Sequence, residues 1–186
     1  RDVSKEAGVA NPEGKSLGVA TADFDGDGLT DVFVANDAVQ QYLYRNRGGG
    51  RFEDVAFQAF AAFDQDGKAF SGMGTDAADY DNDGRPDAVV TNLSNQCYAL
   101  FRNLGDWTFS YETHASGLGR ISLLSSGWGV RFLDYDNDGW KDLFLVQGHV
   151  LDTIELTSPH LRYRQPPLVA RNEGGRFRDV SAGAGD

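Results

Sequence analysis

The chain has 186 residues, 40% of them hydrophobic and 12% aromatic, with a formal net charge of −11 and a pI near 4.6. That is long and apolar enough for one domain with a packed core, and too apolar for a disordered chain. The acidity argues against nucleic acid and anionic membrane surfaces, and no run of ~18 apolar residues is present to span a bilayer.

The first fifteen residues carry little periodicity, and Lys5 to Val9 predicts at most a turn. Leu17 to Ala22 reads as a strand. It leads into an acidic loop, Asp23-Phe24-Asp25-Gly26-Asp27-Gly28-Leu29-Thr30-Asp31, which ends in the short apolar run Val32-Phe33-Val34. Such a run, bounded by turn residues, predicts a buried strand. It stops at Asn36. Then comes Tyr44-Arg45-Asn46, a glycine turn, and Phe52-Glu53-Asp54-Val55, which read together as a β-hairpin.

The same order recurs twice. The second acidic loop runs from Asp79 to Asp87 and the third from Asp134 to Asp142. Both have the form D-(F/Y)-D-x-D-G-x-x-D, starting 56 and then 55 residues after the preceding loop. Each has a glycine five residues ahead (Gly18, Gly74, Gly129), a strand behind, and a carboxamide at the strand's end (Asn36, Asn92, Gln147). Each has an Arg-Asn hairpin further on, at Arg45-Asn46, Arg102-Asn103 and Arg171-Asn172. A fixed period of this length marks a repeat architecture. Four short antiparallel strands per unit predict all-β, propeller-type blades. The approximate units are 1–54, 55–111 and 112–180, within a single repeat domain covering 1–186. Asp142 to Arg171 spans 29 residues, against 14 and 15 in the other repeats. The third repeat therefore carries an insertion, 148–167, read as a cover over an edge or as a binding connection. Within it, Asp152 to Leu156 predicts a turn.

The chemistry sits in the acidic loops. Aspartates at positions 1, 3 and 5 converge when the backbone curls, and glycine at 6 permits the curl. A carbonyl at 7 and the aspartate at 9 complete a shell of hard oxygen atoms that suits Ca²⁺ better than the smaller, water-retaining Mg²⁺. Soft metals would call for Cys or His, which the loops lack. The loops are not EF-hands, because position 12 is Val34, Val90 or Leu145 rather than Glu, and the flanks read as strands. Without a cation, four carboxylates so close together repel one another.

These loops and hairpins resemble the FG-GAP/VCBS repeat family, the calcium-loop β-propellers of integrin α-chain type. The block Y-R-N-x-G-x-G-x-F-x-D-V, and Gln147-Gly148-His149-Val150 followed by Tyr163 to Phe177, resemble its bacterial and cartilage-acidic-protein-like branch, which is associated with ASPIC/UnbV segments. The resemblance implies three Ca²⁺ sites. The first would use Asp23, Asp25, Asp27, the Leu29 carbonyl and Asp31. The second would use Asp79, Asp81, Asp83, the Arg85 carbonyl and Asp87. The third would use Asp134, Asp136, Asp138, the Trp140 carbonyl and Asp142.

Other residues lead to no chemistry. His114, His149 and His160 share no metal-ligand spacing, and no hydrolase or phosphate-loop motif is present. We therefore expect no enzyme, with a site in the 148–167 insertion as a remote alternative. Cys97, the one cysteine, reads as a small buried residue in a strand or as an intermolecular disulfide partner. Asn92-Leu93-Ser94 is an N-glycosylation sequon; Asn92 also aligns with Asn36 as a structural carboxamide. Trp140, inside a loop, reads as the most exposed tryptophan.

Met73 is the one methionine, so the chain reads as a processed or excised product, the former suiting secretion. Arg1-Asp2-Val3-Ser4 returns as Arg178-Asp179-Val180-Ser181, so both ends fall at the same phase of the repeat. Three blades do not close a ring. The expected function is therefore a calcium-binding extracellular structural or interaction protein, self-assembling head to tail through its open blade faces as an oligomer or filament. The alternative is a piece of a larger secreted propeller that binds a protein or glycan.

Overall fold

The structure is a computed structural model, and it describes residues 1–183. Its elements in chain order are α1 (Ser4–Ala7), β1 (Ser16–Ala22), β2 (Asp31–Val39), β3 (Tyr42–Asn46), β4 (Phe52–Asp54), β5 (Phe70–Ser71), β6 (Thr75–Ala78), β7 (Asp87–Val90), β8 (Ala99–Asn103), β9 (Phe109–Tyr111), α2 (Leu118–Ser122), β10 (Gly127–Leu133), β11 (Asp142–Gln147), α3 (Ile154–Thr157), β12 (Leu168–Asn172) and β13 (Phe177–Asp179). A 3₁₀ turn follows at Ser181–Gly183.

The strands make three antiparallel sheets, none closed into a barrel among the described residues. Their orders are β1-β2-β3-β4 with β5 added on β2, then β6-β7-β8-β9, then β10-β11-β12-β13. These are the four-stranded blades the repeat predicts, each acidic loop joining the first strand to the second. The hairpins also match, with β3, β8 and β12 ending at the asparagine and β4, β9 and β13 starting at the phenylalanine.

Strand alternation assigns each blade two faces. Phe33, Ala35 and Leu43 point from the first blade at Ala88, Val90, Ala99 and Phe101 of the second, forming one core. Val89, Tyr98 and Leu100 point from the second blade at Val130, Leu143, Leu145, Leu168 and Ala170 of the third, forming the other. Two faces are left over. The first blade presents Leu17, Val19, Val32, Val34, Tyr42 and Tyr44 along an open groove of about 590 Å³. The third presents Leu133, Phe144 and Val146, each more than a third exposed.

The glycine ahead of each loop is where blades touch. A Cβ on Gly18 would lie 2.3 Å from the Met73 carbonyl oxygen, and one on Gly74 would lie 2.0 Å from that of Trp128. The strands abut backbone to backbone, so no side chain fits. The corresponding Cβ on Gly129 would meet only Val146 Cγ2, at 2.9 Å.

Some local expectations need correction. The short helix α2 was not foreseen; in it Ser122 Oγ donates to the Leu118 carbonyl and accepts the Tyr98 N–H. Cys97 lies half-buried in the turn before β8, not in a strand, because that turn delays the strand to Ala99. Trp128 is the exposed tryptophan, and Trp140 is half-buried. In the 148–167 insertion Ile154 and Leu161 are buried, and Gly148 pairs with Arg164. The Trp128 indole donates to the Gly148 carbonyl oxygen and the Gln147 amide to that of Pro166. No helix of the described residues is long and apolar enough to cross a membrane.

Candidate metal centres

The three acidic loops share a common set of internal bonds. The first aspartate accepts backbone N–H groups from positions 5 and 6, so Asp23 takes those of Asp27 and Gly28. Asp79 takes those of Asp83 and Gly84, and Asp134 those of Asp138 and Gly139. The chain can wrap this tightly because positions 4 and 6 both lie in the left-handed region. Position 4 is Gly26, Asn82 or Asn137 (φ 74°, 59° and 60°), and position 6 is Gly28, Gly84 or Gly139 (φ 85°, 89° and 90°). Glycine and asparagine are the residues that tolerate this conformation. The restriction of position 4 to Gly or Asn is a signal present in the sequence.

The fourth aspartate is the most buried. Asp31, Asp87 and Asp142 are fully enclosed, and each ties two chain segments together. One oxygen accepts the N–H of position 2 of its own loop (Phe24, Tyr80 or Tyr135). The other accepts the N–H of the hairpin asparagine (Asn46, Asn103 or Asn172) at 2.8 Å. Burial raises the carboxyl pKa in all three, against the lowering effect of these N–H bonds; Asp87 is pushed up to about 7.

Carboxylate oxygens converge within 4.8 Å of one another in three sets: Asp23, Asp25 and Asp27; Asp79, Asp81 and Asp87; and Asp134, Asp136 and Asp142. One oxygen on each of Asp81 and Asp136 is buried with no protein partner. A bare carboxylate oxygen is costly to bury, and one facing other carboxylates fits a hard cation. The residue types and the convergence thus suit a divalent ion held by oxygen. The N–H groups of Leu29, Arg85 and Trp140 bond the third aspartate of their loops. Asp83 and Asp138 are further engaged by arginine.

The loops also reach across blades. Asn103 Nδ2 donates to the Phe24 carbonyl oxygen, and Asn172 Nδ2 to that of Tyr80. The position-2 rings follow, with Phe24 packing edge-on against Phe109 at 5.8 Å and Tyr80 stacking on Phe177 at 5.9 Å. Trp107 of the second blade donates its indole N–H to Asp25 of the first, at 2.9 Å.

The remaining candidates stay apart. His114 and His160 are exposed, and His149 accepts the Leu151 N–H. Asn92 is buried, and its Nδ2 donates to the Cys97 carbonyl oxygen at 2.6 Å, as a structural carboxamide does.

Comparison with known proteins gives the same picture of the repeats. Residues 23–90 and 79–145 match the FG-GAP-like repeat. The chain is 35% identical to human cartilage acidic protein 1 and 33% identical to the mouse protein, over 144 residues in each case. That is 77% of this chain and 21% of each relative, so the chain spans about a fifth of the length of these curated proteins. Among solved structures, a lectin of Agrocybe aegerita, described as recognising non-reducing terminal N-acetylglucosamine, aligns over 95% of this chain and 40% of its own, with a TM-score of 0.49 and 21% identity.

Proposed function

Because the chain belongs to the FG-GAP-like repeat family, we propose that it is an extracellular, calcium-clipped blade array with a structural or interaction role rather than an enzymatic one. The observation that carries this reading is the threefold convergence of loop carboxylates, each with its buried fourth aspartate. Ca²⁺ at the three loops would be held by Asp23, Asp25, Asp27, Asp31 and the Leu29 carbonyl, and by the matching sets around Asp79 and Asp134. Three divalent ions would offset six of the eleven net negative charges. Oxygen-liganded calcium sites of extracellular modules bind at about 10⁻⁴–10⁻³ M, and sites of that strength would be filled outside cells, in keeping with an extracellular location.

The two open faces support self-assembly. At each internal junction, a position-2 aromatic ring meets the phenylalanine that opens the next blade's outer strand. The carbonyl of the same position-2 residue meets the next blade's asparagine. On the open faces, Tyr135 is 41% exposed, and Phe52 lines the groove of the first blade. Asn46 Nδ2 bonds only the Thr30 carbonyl of its own blade among the described residues. A second copy stacked head to tail would supply the missing partners by the rule the internal junctions follow. Such a heterologous contact grows into an oligomer or filament unless it closes.

A second reading rests on the length of the relatives. There, further blades of the same polypeptide cover both faces, and the whole acts as a protein- or glycan-binding propeller. Size-exclusion with light scattering, over a concentration series in millimolar calcium and in chelator, separates the two. Concentration-dependent, calcium-dependent growth supports assembly between copies. A monomer throughout overturns it and leaves the second reading.

A further inference from the structure

Each acidic loop carries one arginine that its own motif does not contain. It comes from the hairpin strand of the same blade, one residue ahead of the asparagine whose N–H is fixed on the fourth aspartate. Arg45 Nη2 lies 2.8 Å from Asp25 and 4.0 Å from Asp27. Arg102 Nε lies 2.5 Å from Asp81, and its Nη2 lies 3.2 Å from Asp83. Arg171 Nη2 lies 2.8 Å from Asp136 and 3.1 Å from Asp138. In three blades out of three, the guanidinium spans the second and third aspartates of the loop; in the second blade Arg85, from the loop's own motif, also bonds Asp83.

The contact is built rather than incidental. The strand end that carries the arginine is locked by the N–H bond of the next residue to the buried aspartate. The Arg45 guanidinium also lies over the Trp107 ring, 5.0 Å from its centroid, while the Trp107 N–H bonds the same Asp25. The oxygen of Asp81 and Asp136 that faces away from the arginine is the bare one.

We propose that Arg45, Arg102 and Arg171 are resident counter-cations that hold the loops folded without calcium and set how tightly they take it up. This rests on the calcium reading of the loops. A guanidinium carries its charge at every pH of interest, so in the empty loop it offsets part of the repulsion among four carboxylates. A dication entering the loop meets that fixed positive charge at close range, and it competes with the arginine for the third aspartate. The arginine therefore stabilises the empty state more than the filled one, which weakens binding and narrows the stability gap between the two.

The test is calorimetric titration of calcium chloride into the whole chain, with thermal unfolding in chelator and in saturating calcium. Arg102→Gln should tighten calcium binding at one of the three sites by about five- to tenfold. It should also lower the melting temperature in chelator more than in calcium. Arg102→Lys keeps the charge and should stay near the wild-type affinity. Arg47→Gln, which removes an exposed partner of Glu53 outside the loops, should change neither quantity. Unchanged or weaker calcium binding in Arg102→Gln overturns the proposal. A wild-type chain that takes up no calcium overturns the underlying metal reading, and the first titration shows it before any variant is made. Because the single variants leave two arginines in place, the measurement does not depend on the triple variant folding.

Discussion

Asn103 and Phe24 are 79 residues apart in sequence and are joined by a hydrogen bond of 2.8 Å from Nδ2 to the carbonyl oxygen. The same amide donates to the Pro86 carbonyl, its Oδ1 accepts the Gly105 N–H, and its own N–H reaches Asp87. One buried side chain thus ties a loop of its own blade, a hairpin turn and a loop of the preceding blade. Replacing it by alanine leaves buried carbonyls unpartnered at a blade junction. Asn103→Ala should cost about 2–4 kcal/mol in denaturant unfolding. Asn46→Ala, whose amide makes no bond to a preceding blade among the described residues, should cost about half as much. Equal costs would show that the cross-blade bond contributes nothing.

The second and fourth aspartates of a loop should behave differently on conversion to asparagine. Asp87 accepts N–H groups on both oxygens in a fully buried position. An amide there turns an –NH₂ toward an N–H donor, leaving a clash and an unsatisfied pair. Asp87→Asn should therefore destabilise the chain by about 2–4 kcal/mol in chelator, and by more in calcium, where a proposed ligand is lost as well. Asp81 has one bare oxygen and one on Arg102. Asp81→Asn should leave stability in chelator within about 1 kcal/mol of wild type, while calcium no longer raises the melting temperature through that loop. A calcium response unchanged from wild type in Asp81→Asn would remove that residue from the site.

What was legible in the sequence was what the chain encodes locally. Aspartate spacing, the turn glycines and the apolar run after each loop are backbone chemistry within about ten residues, and they were enough to place the loops, hairpins and blades. Contacts that cross blades were not legible. Neither the Trp107–Asp25 bond, 82 residues long, nor the Asn172–Tyr80 bond, 92 residues long, has a sequence signal in a single chain. The arginine is visible in the sequence as part of the hairpin block, but its position over the aspartates depends on how β3, β8 and β12 fold back beside their loops. Helix α2 has no sequence signal because five residues are too few to show a period. It forms where Ser122 joins it to Tyr98, and Leu118 fills the core between the second and third blades.

Trp107 offers a reporter on the first loop. Its indole N–H bonds Asp25, and its ring lies against Arg45. A cation entering that loop changes the charge around the indole, so tryptophan emission should shift on calcium titration. The shift should disappear in Trp107→Phe, which keeps an aromatic ring but deletes the indole and its donor. Losing that bond to a charged acceptor should cost about 1–3 kcal/mol in chelator. An emission change that survives in Trp107→Phe would assign it to Trp128 or Trp140 instead.

The three pre-loop glycines separate a closed junction from an open one. Gly74 has no room for a methyl group, because its Cβ would sit 2.0 Å from the backbone oxygen of Trp128. Backbone cannot give way there as a side chain can, so Gly74→Ala should pry the second and third blades apart. The expected loss is about 3 kcal/mol or more, a large share of the ~5–15 kcal/mol that holds an ordinary domain folded. Gly129 occupies the same place in the third blade, but its Cβ would meet only a Val146 methyl, which can rotate. Gly129→Ala should cost no more than about 1 kcal/mol in the isolated chain. If copies stack through this face as the internal blades do, the same methyl group meets the backbone of the arriving β1 strand. Gly129→Ala should then abolish calcium-dependent growth in light scattering while leaving the monomer's melting temperature nearly unchanged. Growth that persists in Gly129→Ala would mean that copies meet through some surface other than the open face of the third blade.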